Sequence, residues 1–300
     1  MNLLNDYLKS TFGTKVYKLA LSNATTCPNR DGKIGVGGCI FCSKEGSGNF
    51  AESATDSINF QIEKAKQRVI EKAGKNAKYI AYFQSFSATY APIEALRKSF
   101  YDAILHKDIV ALSIATRPDC LGKEVLELLN ELNKIKPVWV ELGLQTSNET
   151  SAKYIRRGYE NTVYENAVTS LKTIGVIVIT HMIIGLPNED KTDIINTARY
   201  IADIGSDGIK FHLLHVLKNT DLEIDYNFNK FSLPSLEEYA EILAECIMNI
   251  SPRMIIHRLT GDGAKNELIA PLWSADKKKV LNYLNKYFKK INLIQGEHYK

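Results

Sequence analysis

Short apolar runs alternate with longer amphipathic stretches between residue 15 and residue 214. The short runs are rich in β-branched and aromatic residues, and they predict strands that are buried on both faces, as in a parallel sheet. They lie at 15–21, 79–84, 109–115, 138–144, 176–184 and 208–214. The stretches between them space their apolar residues at helical intervals, which predicts helices at 58–71, 93–105, 123–132, 163–174 and 192–204.

Residues typical of helix ends agree with this division. Asp56 and Ser57 precede the first of these helices, Pro92 begins the second, and Gly175 and Gly205 follow two later ones. Strands that are each followed by a helix require right-handed crossovers and form a parallel sheet. The pattern therefore predicts an α/β fold, and six repeats favour a partial (β/α)6 TIM-type barrel over a closed eightfold one.

The composition changes near residue 251. A short strand at 254–257 and a final helix near 276–289 follow this point. We predict a core over residues 1–250, including an N-terminal extension, and a small C-terminal α/β appendage over residues 251–300 that packs on the core. Three hundred residues suffice for one large domain with such an appendage.

Composition and charge exclude some classes of protein. The chain is 45% hydrophobic and 24% charged, which is ordinary for a globular protein. The first residues lack a basic segment followed by an apolar run, and no stretch reaches the ~18 apolar residues of a membrane span. We expect a cytoplasmic protein without a signal peptide. The net charge of +4 is compatible with a polyanionic partner, and the lysines near the C-terminus fit either a solvated helix face or a nucleic-acid surface.

Three of the five cysteines lie in one glycine-rich loop. Cys27, Cys39 and Cys42 have the spacing C-x11-C-x2-C, and no fourth Cys or His is nearby. Three thiolates suggest a metal centre with one open position, and iron–sulfur clusters are also held by thiolates. A closed zinc site with a distant fourth ligand is the alternative. An odd, sparse set of cysteines argues against a disulfide framework.

Polar residues follow the predicted strands at their carboxyl ends, where parallel α/β sheets collect reactive groups. The cysteine loop follows the first strand. The other ends carry Gln84-Ser85-Phe86, Thr116-Arg117-Pro118-Asp119, Gln145-Thr146, Gly185-Leu186-Pro187 and His215. We expect these groups to meet at one edge of the sheet.

These residues resemble the radical S-adenosylmethionine (SAM) superfamily from about residue 16 to residue 218. The cysteine loop, with Phe41 before its last cysteine, is similar to the cluster loop of that family, whose usual spacing is C-x3-C-x2-C. Widened first gaps occur in relatives of the Elongator catalytic subunit. Further segments resemble the YhcC/YtqA-type subgroup, namely 27–32, 82–84, 89–92, 141–146, 257–263 and 270–273.

The resemblance implies a [4Fe–4S] cluster held by Cys27, Cys39 and Cys42. Its free iron would chelate the amino and carboxylate groups of SAM. One electron would then cleave the sulfonium, and the resulting 5′-deoxyadenosyl radical would take a hydrogen atom from the substrate. A flavodoxin or a ferredoxin would be the electron donor.

The resemblance also implies cofactor contacts at the strand ends. Gln84-Ser85 occupies the place of a Gly-Gly-Glu segment in relatives, so backbone carbonyls or the Gln84 amide would receive the SAM amino group. Glu141 and Gln145 share one face of a strand. Glu141, in an apolar strand, must either be functional or pair with an internal lysine or arginine. The predicted SAM contacts are Phe41, Gln84, Ser85, Glu141, Gln145, Arg157, Gly185 and His215.

The substrate that the resemblance implies is a modified nucleoside in tRNA. The preferred target is the wobble-uridine side chain, in the processing of 5-carboxymethylaminomethyl-uridine toward 5-aminomethyl-uridine. The candidate substrate residues are Tyr90, Lys210, His212, Lys218, Arg258 and Asp262, and His181 is assigned to the core. A small molecule or a peptide remains an alternative substrate. A zinc-stabilised binding protein and a TIM-type hydrolase remain alternative classes of protein.

Overall fold

The computed structural model describes residues 1–44, 46, 51–74, 77–261, 263 and 265–300. Within them the strands are β1 Val16–Leu21, β2 Lys78–Phe83, β3 Ile109–Thr116, β4 Val138–Gln145, β5 Ile177–Ile184, β6 Gly208–Leu213, β7 Val216–Leu217, β8 Ile255–Arg258 and β9 Leu268–Ala270. The α-helices are α1 Leu4–Phe12, α2 Ile58–Gln67, α3 Ile70–Ala73, α4 Ile93–Ile104, α5 Lys123–Asn133, α6 Glu149–Tyr154, α7 Asn161–Thr173, α8 Lys191–Asp203, α9 Asp221–Asn227, α10 Leu236–Met248 and α11 Lys277–Lys290.

The main sheet is parallel throughout. Its strand order is β1-β2-β3-β4-β5-β6-β8, so each of the first five strands pairs with the next one along the chain, and β6 pairs with β8. The interior strands are buried on both faces, which is why they are apolar almost throughout. This arrangement confirms the predicted fold class, an α/β fold that forms a partial TIM-type barrel.

The seventh strand comes from the segment expected to form the appendage. Strand β8 pairs in parallel with β6, with Gly208 opposite Ile255, so the sheet has one strand more than the six predicted. Four residues are too few to show a period, and only the pairing reveals the role of this strand. The Asn2 carbonyl accepts a hydrogen bond from the Ile256 amide and covers the outer edge of β8. The boundary at residue 250 stays a prediction.

Helix α1 packs against the inner face of the sheet near the amino ends of the strands. Leu8 is 4% exposed and forms an apolar cluster with Ile80, Ala111, Trp139 and Ile179, one from each of β2 to β5. This cluster fills the space below the polar layer described in the next subsection. The N-terminal extension is therefore part of the barrel interior.

Helix boundaries agree with the predictions, with two differences. Ser57 caps α2 by accepting a hydrogen bond from the Phe60 amide at 3.4 Å. The single helix predicted at 58–71 is two helices, α2 and α3, separated at Arg68 and Val69. Helices α1, α6, α9 and α10 were not predicted, although Ser235 and Glu238 form a capping box for α10 that the sequence displays. None of the helices in the described part of the chain combines the length and the apolar run needed to cross a membrane.

Candidate functional site

A cavity of about 1250 Å³ opens at the carboxyl ends of the strands. All three loop cysteines line it, which confirms that the sheet brings the cysteine loop to this edge. Of the residues predicted from the sequence, it is also lined by Phe41, Gln84, Glu141, Gln145, Arg157, Lys210, His212, His215 and Arg258. The cavity therefore joins the cysteine loop to a polar layer inside the barrel.

The cysteine loop is shaped by two polar side chains. The Asn29 amide donates to the Arg156 carbonyl at 2.5 Å, and the Arg30 guanidinium donates to the carbonyls of Ser43 and Lys44. Gly38 has φ +88°, and a Cβ atom there would lie 2.9 Å from Arg30 Nε. Only glycine fits this position, because both the backbone angle and the space exclude a side chain.

The three thiols are the donor set of an iron–sulfur cluster, which cysteine thiolates hold. Cys27, Cys39 and Cys42 all line the cavity, and a hydrogen bond joins the thiols of Cys39 and Cys42. Three cysteines leave one metal position without a cysteine ligand, as a site that binds a cofactor or substrate requires.

The electrostatic surroundings favour a thiolate at one of these cysteines. A hydrogen bond from the Cys42 thiol lowers the pKa of Cys39 to about 7, against the effect of burial, and Arg117 and Asn29 lower it further. That bond and burial raise the pKa of Cys42. Cys120 is buried away from the described cavity lining, and burial raises its pKa to about 12, as expected of a structural thiol.

The polar layer below the cysteines is centred on Glu141, which is 1% exposed. Its Oε1 accepts from Lys18 Nζ at 2.5 Å and from Ser113 Oγ at 2.6 Å. Its Oε2 binds Lys210 Nζ and lies 2.8 Å from His181 Nε2. Pairing with internal lysines, one of the two alternatives for this carboxylate, is therefore present. A direct contact of Glu141 with SAM stays a prediction.

These contacts set the charges of the layer. Burial by itself would raise the pKa of Glu141, but Lys18 and Lys210 outweigh it and hold that pKa well below its usual range. Burial lowers the pKa of Lys210 to about 7, with help from Lys18 and Arg258 and against the effect of Glu141. Burial and the Lys210 charge lower the pKa of His181 to about 4, so this imidazole is neutral at pH 7.

The end of β4 has an irregular backbone. Gln145 has φ +67°, and the pairing of β4 with β5 shifts register between Gly143 and Gln145. The Tyr159 hydroxyl donates to the Gly143 carbonyl and lies 3.4 Å from Gln145 Oε1. A non-glycine residue at positive φ is uncommon and clusters at functional sites, which supports the predicted ligand role of Gln145.

Arg157 stabilises the same strand end. It is 1% exposed, and its guanidinium donates to the carbonyls of Leu144 at 3.2 Å, Thr146 at 2.8 Å and Tyr159 at 2.9 Å. It also contacts the Glu149 carboxylate at 3.1 Å. These bonds fix the loop after β4, and a bidentate contact with the SAM carboxylate stays a prediction.

Four predicted residues lie outside the described lining of the cavity. Ser85 is buried, and its carbonyl accepts from Thr25 Oγ1 at 3.4 Å. Gly185 packs against Pro234, and Lys218 is exposed and donates to the Asn266 carbonyl at 3.1 Å. Tyr90 lies beside Lys33, with 5.3 Å between the Lys33 Nζ and the ring centroid. Asp262 lies outside the described residues. Roles for these five stay predictions.

The sequence reasoning missed several lining residues. Lys18 and Tyr82 enter the polar layer from β1 and β2, and His181, assigned to the core, lines the cavity and binds Glu141. Tyr159 lines the upper part beside Arg117, a strand-end residue that was expected at this edge, with the Arg117 guanidinium carbon 4.8 Å from the Tyr159 ring centroid. The argument applied to Glu141, that a charge in a buried strand must be paired, would have identified Lys18 as well.

Comparison with known proteins gives matches along most of the chain. The family described as the Radical SAM superfamily matches residues 27–201, and the Radical_SAM C-terminal domain matches residues 206–290. The chain is 43% identical to the YtqA protein of Bacillus subtilis, over 99% of this chain and 92% of that protein. It is 33% identical to the YhcC protein of Escherichia coli strain K12, over 96% and 92%.

More distant similarities share the fold or part of the sequence. The structure of archaeal Methanocaldococcus infernus Elp3, with an N-terminal deletion, has a TM-score of 0.72 at 18% identity, covering 93% of this chain and 64% of that one. The tRNA uridine(34) acetyltransferase of Methanocaldococcus jannaschii is 29% identical over 140 residues, which are 45% of this chain and 25% of that protein.

Proposed function

The chain belongs to the radical SAM superfamily, in its YhcC/YtqA-type subgroup, and we propose that its substrate is a modified uridine in tRNA. As a radical SAM enzyme it uses a [4Fe–4S] cluster and SAM. The reaction we propose processes the 5-carboxymethylaminomethyl side chain of the wobble uridine toward 5-aminomethyl-uridine.

Cys27, Cys39 and Cys42 would hold the cluster, since all three thiols line the cavity and thiolates are the ligands of iron–sulfur clusters. When bound there, the cluster and SAM supply one-electron cleavage of the sulfonium and, through it, abstraction of a hydrogen atom. The residues of this chain position and shield the reactants. Arg157 and Tyr159 fix the end of β4, and the apolar cluster around Leu8 closes the opposite end against water.

The observation that carries the substrate proposal is the size and charge of the cavity. A volume of about 1250 Å³ exceeds the ~300–1,000 Å³ of ordinary ligand pockets, so it can hold SAM and a second molecule. Among the described residues that line it, seven are Lys or Arg and two are Glu, which favours an anionic partner such as RNA. An unpaired anticodon base can enter such an opening, because proteins read RNA loops by splaying bases outward.

One similar protein bears a name that points in the same direction. It is named as a tRNA uridine(34) acetyltransferase and matches 45% of this chain. For the electron donor we propose a flavodoxin or a ferredoxin, in a reducing cytoplasm. A plain hydrolase is not favoured, because Glu141, one of the two glutamates among the described lining residues, is engaged by two lysines and a histidine.

The first experiment tests the chemistry. Protein reconstituted without oxygen should bind iron and sulfide, and should form 5′-deoxyadenosine from SAM once dithionite is added. Cys27→Ala, Cys39→Ala and Cys42→Ala should each abolish the product, whereas Cys120→Ala should not. Reconstituted protein that binds no cluster, or a Cys120→Ala variant as inactive as the loop variants, would contradict the assignment.

The second experiment tests the substrate. Bulk tRNA from cells that lack the gene for this protein is incubated with the reduced enzyme and SAM. Its nucleosides are then separated and identified by mass spectrometry. We expect loss of 5-carboxymethylaminomethyl-uridine, and tRNA binding that weakens steeply with salt. Unchanged nucleosides together with no binding at low salt, while 5′-deoxyadenosine still forms, would point to a small-molecule or peptide substrate.

A further inference from the structure

The deepest part of the cavity is cationic. Lys18 on β1 and Lys210 on β6 share one carboxylate, that of Glu141, and each binds a different oxygen of it. Arg258 on β8 lies next to Lys210 in the sheet register and also lines the cavity. We call Lys18, Lys210 and His212, together with their neighbour Arg258, the cationic floor.

The charges in this layer do not balance. Below the Lys210 pKa of about 7, two ammonium groups face one carboxylate, and the Arg258 guanidinium lies beside them. The imidazoles nearby do not reverse the sign. Burial and the neighbouring positive charges of Lys210 and Arg258 hold the pKa of His181 near 4 and that of His212 well below its usual range. Both rings are neutral at pH 7. A surplus charge in a buried site is costly unless an ion of opposite sign is bound.

Hydrogen-bond donors also remain available. An ammonium group has three N–H donors. Among the described residues, Lys18 uses two of them, on Glu141 and on Ser113 at 3.3 Å, and Lys210 uses two, on Glu141 and on the Tyr82 hydroxyl at 3.2 Å. The buried Nε2 of His212 has no hydrogen-bond partner in the described part of the chain. Each ammonium group thus has one donor left for a ligand, and the neutral His212 ring offers Nε2 as a donor in the tautomer that carries its proton there.

We propose that the cationic floor is a carboxylate subsite, in which Lys18, Lys210 and His212 hold the carboxylate at the end of the substrate's side chain. Glu141 lies four residues before the end of β4, which places the floor roughly 13 Å below the strand end at about 3.3 Å per residue. A uridine whose base enters the cavity together with its slender side chain can extend toward this depth, whereas a phosphate joined to two riboses cannot. Two carboxylate oxygens match the three donors. The subsite rests on the proposed function for the kind of substrate, and selects uridines whose substituent ends in a carboxylate.

The first test uses acetate alone, so its result does not depend on uridine. Protein labelled with ¹³C at lysine Cε is titrated with pH by NMR, and the Lys210 signal is assigned by its absence in Lys210→Met. Acetate should raise the midpoint of the Lys210 titration from its depressed value, because a bound anion favours the charged amine. Acetamide, which has the same shape and no charge, should not. An unchanged Lys210 midpoint in acetate overturns the subsite.

The second test compares two nucleosides of equal shape, 5-carboxymethylaminomethyl-uridine and its terminal carboxamide, by calorimetry on the reconstituted enzyme. The acid should bind about tenfold to a hundredfold more tightly, as charge-assisted hydrogen bonds predict. Lys210→Met should abolish this preference. His212→Phe should reduce the preference, and Lys98→Met, an exposed lysine paired with Asp102, should retain it in full.

The outcomes separate the two proposals. If acetate shifts Lys210 but neither nucleoside binds, uridine is not the substrate and the carboxylate subsite stands. If both nucleosides bind equally, the subsite fails while the uridine proposal stands. Far-ultraviolet circular dichroism and iron content identify a variant that fails to fold. If Lys210→Met fails to fold, the His212→Phe variant provides the test. An acid-over-amide preference in this variant that equals that of the unaltered enzyme counts against the subsite.

Discussion

Replacement of Glu141 by Gln tests whether the buried ion pairs stabilise the barrel. The substitution keeps the shape of the side chain and removes its charge. Lys18 and Lys210 then lose their common counter-ion inside a layer where Glu141 is 1% exposed and Lys210 is 5% exposed. The amide nitrogen can only donate, so one ammonium faces a donor in place of an acceptor.

The magnitude follows from the burial of the pairs. Removing one partner of a buried ion pair typically costs about 3–5 kcal/mol, because the remaining charge is left uncompensated. Glu141→Gln should therefore lower the free energy of unfolding by about 3–5 kcal/mol at pH 6, where Lys210 is protonated. The pKa of Lys210 is about 7 with Glu141 present and falls when the carboxylate is removed. At pH 9 Lys210 is neutral in both proteins, so the loss should be smaller.

The assay is urea unfolding followed by tryptophan fluorescence, at pH 6 and pH 9, on proteins matched for iron content. The double variant Glu141→Gln/Lys210→Met should be less destabilised than the sum of its single variants, since the second change removes one uncompensated charge. Glu131→Gln, which breaks the solvent-exposed pair with Arg97, is the matched control and should have little effect.

Two results would refute this reasoning. A loss below about 1 kcal/mol at pH 6 would show that water or repacking compensates the lysines at little cost. A loss that grows between pH 6 and pH 9 would have the opposite sign to that expected for a lysine that releases its proton in this range.

Three further substitutions test the loops around the site. Gly38→Ala forces a side chain into a backbone with φ +88° and should cost about 1–3 kcal/mol and lower the iron retained, whereas Gly122→Ala, with nothing within 4 Å of its Cβ, should retain it. Burial raises the pKa of Glu189 to about 7, above its value in the unfolded chain. Ionisation of this carboxyl therefore destabilises the folded state as the pH rises. Glu189→Gln should raise the unfolding free energy by about 1–3 kcal/mol at pH 8, and the gain should disappear below about pH 4.5, as thermal melts would show. Arg157→Lys removes hydrogen-bond donors from the end of β4 and should destabilise the protein by about 2–4 kcal/mol. Arg156→Lys, at an exposed position, should not destabilise it. Equal urea midpoints for the two variants would contradict the role of Arg157.

The regular elements and the metal-binding loop could be predicted because their signals are local. A buried parallel strand is apolar over five to eight residues, and its amphipathic partner helix carries a 3.6-residue period, so β1 to β6 were found within one or two residues of their ends. The cysteine loop follows β1, and strand direction alone places it at the carboxyl edge. Strand β8 was not recognised as part of the sheet, because four residues carry no period.

The sequence by itself determined the partial barrel, the edge at which the chemistry gathers and the three thiols that define the family. It also determined that Glu141 needs a partner or a function, because a charge cannot stay isolated in an apolar strand. Only the tertiary structure decided which partners it has. Lys18 and Lys210 lie 123 and 69 residues from it along the chain, and they meet it because sheet register and curvature bring β1 and β6 toward β4. Contacts of this kind depend on relative positions set by packing of the whole fold, which no local pattern of residues encodes.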